Sequence, residues 1–265
     1  ICSDKTGTLT ENQMTVQSIY VGDKYYAVSG SGYSPKGEIS KDATPESNSS
    51  GDPSEVSSDW ERAVMGACVV RQAIDGKRGS PLESGLPPSL EECLIAGVLC
   101  NDSQLKQTGA DWSVVGDPTE GALIAAAAKA SLSQSGLAAS QPRLDSIPFE
   151  SQYQYMATLH DGLTPVIYVK GSVESLMNRC SQMMNHQCKK IAFERPDIEQ
   201  AVAVMARKGL RVLAFAKKEI STHQHAIDHD DIATDLIFLG LQGMIDPPRP
   251  EAIAAVHACQ TAGIK

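Results

Sequence analysis

An aspartate at the mouth of a Gly/Thr turn is the first group in this chain with the makings of a catalyst. Asp4 is followed by Lys5 and the small, amide-rich Thr6-Gly7-Thr8. A carboxylate at a strand end attacks phosphorus when a neighbouring cation and free backbone amides absorb the phosphate charge, and the product is an acyl phosphate. Lys5-Thr6 is not a Walker loop, because the upstream glycine pair is missing. Further along, Lys170 precedes Gly171-Ser172, where a helix is expected to begin. A cation beside free amides makes an anion site, and a solvated strand-end lysine is the plain alternative. Arg211, beside Gly209 on an expected strand, can clamp a phosphate through parallel N–H donors or pair with a carboxylate. Phe149, one of only 4 phenylalanines, can stack on a base or, after Pro148, fill a core. Glu120 stands third in a helix that Asp117 caps and Pro118 opens, so it can serve a ligand, close a capping box, or both.

Composition limits what these groups can serve. A formal net charge of -9 argues against holding a phosphate backbone by bulk charge, so any nucleotide must be held by a few local cations. The 7 cysteines, at positions 2, 68, 93, 100, 180, 188 and 259, form no C-x-x-C pair and are odd in number. Disulfides and a structural zinc are not expected, and a reducing, cytosolic setting fits. No apolar run approaches the roughly 18 residues of a membrane helix, and no signal peptide precedes Ile1. His223, His225 and His229 lie among Asp228, Asp230 and Asp231, but the segment is polar and aperiodic and reads as a solvated loop rather than a metal site.

The elements that must position these groups are local in character. Residues 14–21 and 25–28 are rich in β-branched and aromatic residues and flank Gly22-Asp23-Lys24, which reads as a hairpin. Further strands are expected over 155–160, 166–170, 211–217 and 236–243. Ser89-x-x-Glu92 reads as a capping box opening a helix toward Cys100, and Asp197 as the cap of a helix reaching Lys208 and ending at Gly209. A helix is expected over 251–261, stopped by Gly263. Residues 40–59, 75–88 and 131–142, rich in Ser, Pro and Gly, are expected to be mobile loops. Trp60, Trp112 and the Met-rich stretch 177–184 are read as packing residues. Without strict βαβ alternation, the fold class expected is α+β: a mainly antiparallel sheet flanked by helices. The chain opens on its motif without an initiator Met and closes just past a helix, which suggests a piece excised from a longer polypeptide.

Taken together, the motifs resemble those of P-type cation-transporting ATPases, in family order along the whole chain. The Asp4-Lys5-Thr6-Gly7-Thr8 string is similar to the family's phosphorylation motif, and Tyr33-Ser34-Pro35-Lys36-Gly37 to a segment after its first nucleotide-domain strands. Gly116-Asp117-Pro118-Thr119-Glu120-Gly121-Ala122-Leu123 resembles the GDPTE element, and Pro148-Phe149-Glu150-Ser151 the PFxS segment. Lys170-Gly171-Ser172-Val173-Glu174, Gly209-Leu210-Arg211-Val212-Leu213 and Gly243-Met244-Ile245-Asp246-Pro247-Pro248-Arg249 resemble the KG, GLR and returning-hinge segments. The combination is most similar to calcium pumps and their bacterial relatives.

The resemblance implies an ATP-binding domain of a pump that couples ATP hydrolysis, through an aspartyl phosphate on Asp4, to transport of a cation, with calcium as the leading candidate. It places Asp4, Lys5 and Thr6 at the catalytic centre, with Asp4 and Thr6 on Mg2+. Thr119, Glu120, Phe149, Gln154, Met156, Lys170, Gly171, Arg211 and Leu213 fall at the nucleotide, Glu120 near the adenine amino edge and Arg211 near a phosphate. It divides the chain into a phosphorylation-domain segment 1–12, a nucleotide-binding domain 13–245 and a returning segment 246–265, with hinges near Asn12-Gln13 and Asp246-Pro247. The expected partners are ATP and the remaining phosphorylation, actuator and transmembrane domains of the same pump, with no nucleic acid. The expected location is the cytoplasmic side of a membrane, a bacterial inner membrane first. Gln154 departs from the pattern, standing where the family carries a nucleotide-contacting lysine. One pocket cation is therefore missing, and Tyr153 or Tyr155 is expected nearer the base. A haloacid-dehalogenase-like phosphatase shares an Asp-x-x-x-Thr start but would lack the GDPTE and KG elements, and a stand-alone nucleotide-binding module would give Asp4 no purpose.

Overall fold

The computed structural model describes residues 9–42, 80–81, 85–162, 164–220 and 224–263. Asp4, Lys5, Thr6, Trp60 and His223 lie outside the described residues. Gly22 and Asp23 both take left-handed backbone conformations, φ +53° and +64°. Two such residues in succession match the twist of flanking strands, and they join β1 (Thr15–Val21) to β2 (Lys24–Val28) as a tight hairpin. The hairpin continues into the short β3 (Ile39–Lys41) and β4 (Ser80–Pro81).

Among the described residues an 11-stranded, mainly antiparallel sheet has the main order β4-β3-β2-β1-β13-β12-β9-β8-β7. Its other half is β7 (Arg143–Glu150), β8 (Tyr155–His160), β9 (Val166–Gly171), β12 (Arg211–Glu219) and β13 (Leu236–Ile245). β10 (Cys180–Met184) runs parallel to β13 and carries β11 (Lys190–Ala192) on its outer edge. A separate hairpin, β5 (Gln104–Thr108) and β6 (Asp111–Val115), turns at Gly109.

Successive strand residues face opposite sides, so the sheet builds two cores. On one side Met156, Tyr168, Phe215, Leu239 and Met244 pack under α1 (Pro88–Leu99) and α2 (Pro118–Lys129). On the other Tyr155, Ala157, Val169, Ala214 and Phe238 pack under α4 (Val173–Met177) and α5 (Arg195–Arg207). Met177, Met183 and Met184 are buried as expected, and Trp112 is half-buried on β6. The last helix, α6 (Pro250–Thr261), ends at Gly263 in a left-handed conformation, φ +73°.

Several local expectations are corrected by tertiary contacts. Residues 131–142 contain α3 (Gln134–Ser140), capped by Ser133. α1 starts at Pro88 with Pro87 at the cap position, so Ser89 lies inside the helix and makes no cap, its hydroxyl reaching the His186 carbonyl at 3.5 Å, while Glu92 pairs with Lys217 and Tyr168. Asp197 lies inside the first turn of α5, whose N-cap position is Glu194. The 224–235 segment is an irregular, largely exposed loop as expected, anchored at a few points: Ile227 donates to Asp145 at 2.9 Å, Lys218 Nζ to the Asp231 carbonyl at 2.7 Å, and Ile232 is fully buried.

Candidate functional site

Of the groups singled out by their chemistry, Glu120 and Lys170 meet on the α1/α2 face. β8 and β9 set Met156 opposite Lys170, and β12 sets Phe215 opposite Lys170. Arg211 and Leu213 share the side of β12 that carries Phe215, by the two-residue alternation of a strand. α2 delivers Glu120 from its first turn, held by Asp117, whose carboxylate accepts from the amides of Thr119 at 2.8 Å and Glu120 at 3.1 Å. The expected capping box is only half made. The Glu120 side chain leaves its own helix: Oε2 accepts from the Asp102 amide at 3.0 Å and the Ser103 hydroxyl at 2.9 Å, and Oε1 accepts from Lys170 Nζ.

Lys170 is 6% exposed, so it is neither solvated nor unpaired. A buried ammonium without a carboxylate would be costly, and Glu120 offsets that cost. The pairing still leaves capacity. An ammonium has three donors, and among the described residues the Glu120 carboxylate is the sole acceptor on Lys170 Nζ. A carboxylate offers about four lone-pair directions, of which three are taken here, so one remains on Oε1. Beneath the pair lies Cys100, donating to the Met156 carbonyl at 3.4 Å, its thiol pushed up by burial and partly drawn back by Lys170.

Phe149 sits in the irregular stretch between the Ile147 and Glu150 register positions of the edge strand β7. It is 58% exposed, which overturns a core role for this ring. Met156, at 1% exposure, is a core residue beneath the site, and Leu213 is half-buried. Thr119 is half-buried in the first turn of α2. Gly171 is required by close approach: a Cβ there would stand 2.5 Å from the Gln154 carbonyl and 2.9 Å from Leu176. Arg211 is exposed at the mouth of β12 and makes no ion pair among the described residues.

Gln154 occupies a left-handed turn position, φ +59°, and its side-chain oxygen accepts from the Ser172 hydroxyl at 3.1 Å. Its backbone carbonyl accepts from the Ser172 amide at 2.9 Å. The amide side chain thus ties the β7–β8 turn to the N-cap of α4, close beside Lys170. Tyr155 does not approach this face. It belongs to the opposite core, where its hydroxyl meets His229 Nδ1 at 2.5 Å and Arg179 lies 4.7 Å over its ring. Tyr153 stacks on His229 with centroids 4.3 Å apart. Sequence reasoning missed Asn101, Asp102 and Ser103, which hold Glu120. No periodicity or motif spacing marks them, and only the fold brings them to α2.

Where the chain enters and leaves the sheet, two segments run side by side. Glu11 donates to the Pro247 carbonyl and Arg249 to the Leu9 carbonyl, both at 2.9 Å. The Thr10 hydroxyl donates to Asp246 at 2.6 Å, and Arg249 Nε to the Thr10 carbonyl at 3.0 Å. No described helix is long and apolar enough to cross a membrane.

Comparison with known proteins agrees with this geometry. The family described as P-type ATPase, cytoplasmic domain N, matches residues 89–251, a span that includes Glu120, Phe149, Lys170 and Arg211. The cation-transporting ATPase pma1 of Synechocystis sp. is 61% identical over 265 residues, covering 100% of this chain and 26% of that protein. The probable cation-transporting ATPase F of Mycobacterium tuberculosis is 36% identical over 265 residues, 100% of this chain and 25% of that protein. A calcium-transporting ATPase of Bacillus subtilis is 30% identical over 269 residues, 100% of this chain and 26% of that protein. The chain spans about a quarter of the length of these relatives. With the family match running through the sheet, the helices and the paired Lys170 and Glu120, this chain belongs to the P-type ATPases as a nucleotide-binding-domain fragment.

Proposed function

We propose that the α1/α2 end of the sheet holds ATP, the adenine stacked on Phe149 with its amino edge on the open lone pair of Glu120 beside Lys170 and Gly171, and its phosphates toward Arg211. The observation that carries this reading is a buried lysine–glutamate pair with unused hydrogen-bonding capacity on both partners, with Phe149 exposed on the edge strand two strands from Lys170. Thr119, Gln154 and Leu213 flank the ligand, and Met156 supports it from below. One stack and two or three solvated phosphate contacts supply about -4 to -6 kcal/mol, an upper micromolar to millimolar affinity.

In the intact protein, residues 13–245 form the nucleotide-binding domain, and 1–12 and 246–265 are its connections to the phosphorylation domain. Motion at Asn12-Gln13 and Asp246-Pro247 presents the γ-phosphate to Asp4, whose carboxylate oxygen takes the phosphoryl group as ADP leaves. Asp4 and Thr6 are the residues assigned to Mg2+, which supplies charge neutralisation at the phosphates. The aspartyl phosphate then drives cation transport by the membrane domain. Relatives that carry calcium in their names make calcium the leading candidate.

The 265-residue chain is expected to bind ATP without turning it over, since one domain does not assemble the cations that phosphoryl transfer needs. Titration with ATP followed by amide NMR tests the site: signals of Phe149, Lys170 and Gly171 move together with a millimolar-range midpoint. Movement elsewhere, with these three unmoved, would place the nucleotide at another surface.

A further inference from the structure

The Glu120 carboxylate is gripped by a segment outside every motif. In the loop that follows α1, the Asp102 amide and the Ser103 hydroxyl both donate to Glu120 Oε2. Asn101 Nδ2 donates to the Glu120 carbonyl and to the Gly97 carbonyl, each at 3.0 Å, and its Oδ1 accepts from the Ser103 amide at 2.9 Å. The loop is itself fastened. Arg143 donates to Asp102 Oδ1 at 2.6 Å, to the Asn101 carbonyl at 2.6 Å and to the Leu99 carbonyl at 3.0 Å, and Gln134 Nε2 donates to the Ser103 carbonyl at 2.8 Å. Ser103 is 1% exposed. Its single hydroxyl proton has two acceptors in range, Glu120 Oε2 at 2.9 Å and the Asp117 carbonyl at 3.3 Å, and the nearer, charged one is the stronger. Gly116 makes this approach possible: a Cβ there would lie 2.3 Å from Ser103 Oγ, and its φ of +122° suits only glycine.

The consequence is a carboxylate with its two oxygens made unequal. Oε2 is saturated by two donors, while Oε1 holds Lys170 and keeps one lone pair. We propose that the 101–103 loop, with Ser103 as its positioning residue, sets the choice between 6-amino and 6-oxo purine nucleotides by preventing the Glu120 carboxylate from pivoting. This rests on the proposed ATP site. A 6-amino group is a donor and suits the open lone pair of Oε1. A 6-oxo group is an acceptor and is repelled there, although the same base carries an N–H donor at the adjacent ring atom. A carboxylate free to turn can follow that donor, and a clamped one cannot. Specificity therefore lies in the clamp as much as in the charge.

The test compares ATP with inosine triphosphate, which differs at ring position 6 and its neighbouring proton, by NMR titration of the 265-residue chain. The wild-type chain should prefer ATP by about tenfold or more, the worth of one charge-assisted hydrogen bond. Ser103→Ala should lower that preference by about threefold or more, and Ser103→Cys, a weaker and longer donor, should fall between. In a Glu120→Gln background, Ser103→Ala should change the ratio no further, because the residue acts through that carboxylate. A Ser103→Ala chain that loses affinity for both nucleotides equally overturns the proposal, as does an undiminished effect in the Glu120→Gln background. A wild-type chain that binds neither nucleotide overturns the ATP site itself. Thermal unfolding of each variant separates these outcomes from simple loss of fold.

Discussion

Two ends of one sheet surface carry the same chemistry and put it to different use. At the closed end, Glu92 on α1 accepts from Lys217 at 2.7 Å and from the Tyr168 hydroxyl at 3.2 Å, with Glu219 3.9 Å from Lys217. Nearby, His160 is enclosed, its Nδ1 on the Gln141 carbonyl at 3.0 Å and its Nε2 on Thr158 at 2.9 Å. At the other end, Glu120 on α2 pairs with Lys170. Both pairs join the N-terminal part of a helix to a strand of the same face. Burial does not tell them apart, since the side chains of Lys170 and Lys217 are 8% and 12% exposed. The difference is what stands beside them. Glu92 also holds the Tyr168 hydroxyl, so Lys217 and Tyr168 share it, whereas Lys170 has Glu120 as its sole acceptor among the described residues. On the proposed reading, two similar ion pairs serve as a staple and as a binding group.

The comparison is broken most directly at the closed end. Glu92→Ala should cost about 2–4 kcal/mol of stability, because it strands a largely buried ammonium and a tyrosine hydroxyl, while ATP affinity of the folded chain stays unchanged. Urea unfolding and ATP titration of the same variant check both halves. Lys170→Ala should also destabilise the fold, but with loss of ATP binding. If Glu92→Ala weakens ATP as much as Lys170→Ala does, the two ends are not functionally distinct.

His160 gives the closed end a pH signature. Burial pushes its pKa down to about 4, from 6.5. The unfolded chain therefore takes up this proton first as pH falls, so the stabilisation is complete above about pH 6.5 and is lost progressively toward about pH 4, by up to about 3 kcal/mol. Chemical denaturation across that window should show the slope, and His160→Gln should flatten it. A slope that survives the substitution belongs to other groups.

Phe149→Ala sharpens the contrast from the other side. Loss of a base stack should weaken ATP by about 1–3 kcal/mol. The melting temperature should hardly move, because more than half of this ring is already in solvent. A large loss of stability would mean that the ring packs rather than binds. The smallest effect is expected at position 154. Gln154→Lys adds a cation near Gly171 and should tighten ATP by about 0.5–1.5 kcal/mol, with a steeper salt dependence and little gain for adenosine. Equal gains for both ligands would show a general stabilisation instead.

How much of this was readable beforehand depends on how local the cause is. The Gly22-Asp23 turn, the strands over 155–160 and 166–170, and the stop at Gly263 follow from backbone preferences of a few adjacent residues, and all are present. The Ser89-x-x-Glu92 pattern fails for a physical reason: Pro88, whose fixed φ suits a first helical position, opens the helix one residue earlier, so Ser89 is already helical and cannot cap. Glu120 and Lys170, 50 positions apart, are in contact, and yet the states of the motif residues were not legible. Nothing in the string Pro148-Phe149-Glu150 says that the ring is exposed, since that depends on β7 being an edge strand with an irregular register. The Ser103 hydroxyl could not be linked to a carboxylate 17 positions away without the packing of α2 on the loop after α1.

The paired segments at Leu9–Glu11 and Pro247–Arg249 have a consequence for how such a domain is carried. The backbone that enters the sheet and the backbone that leaves it are within hydrogen-bonding distance, at 2.9 Å in two places. To a host chain interrupted between these points, the whole intervening body looks like a zero-length insertion. The two broken ends of the host remain neighbours, and closing that gap costs almost no chain entropy however large the inserted body is. A two-stranded stalk also bends across its flat face more easily than it stretches or shears.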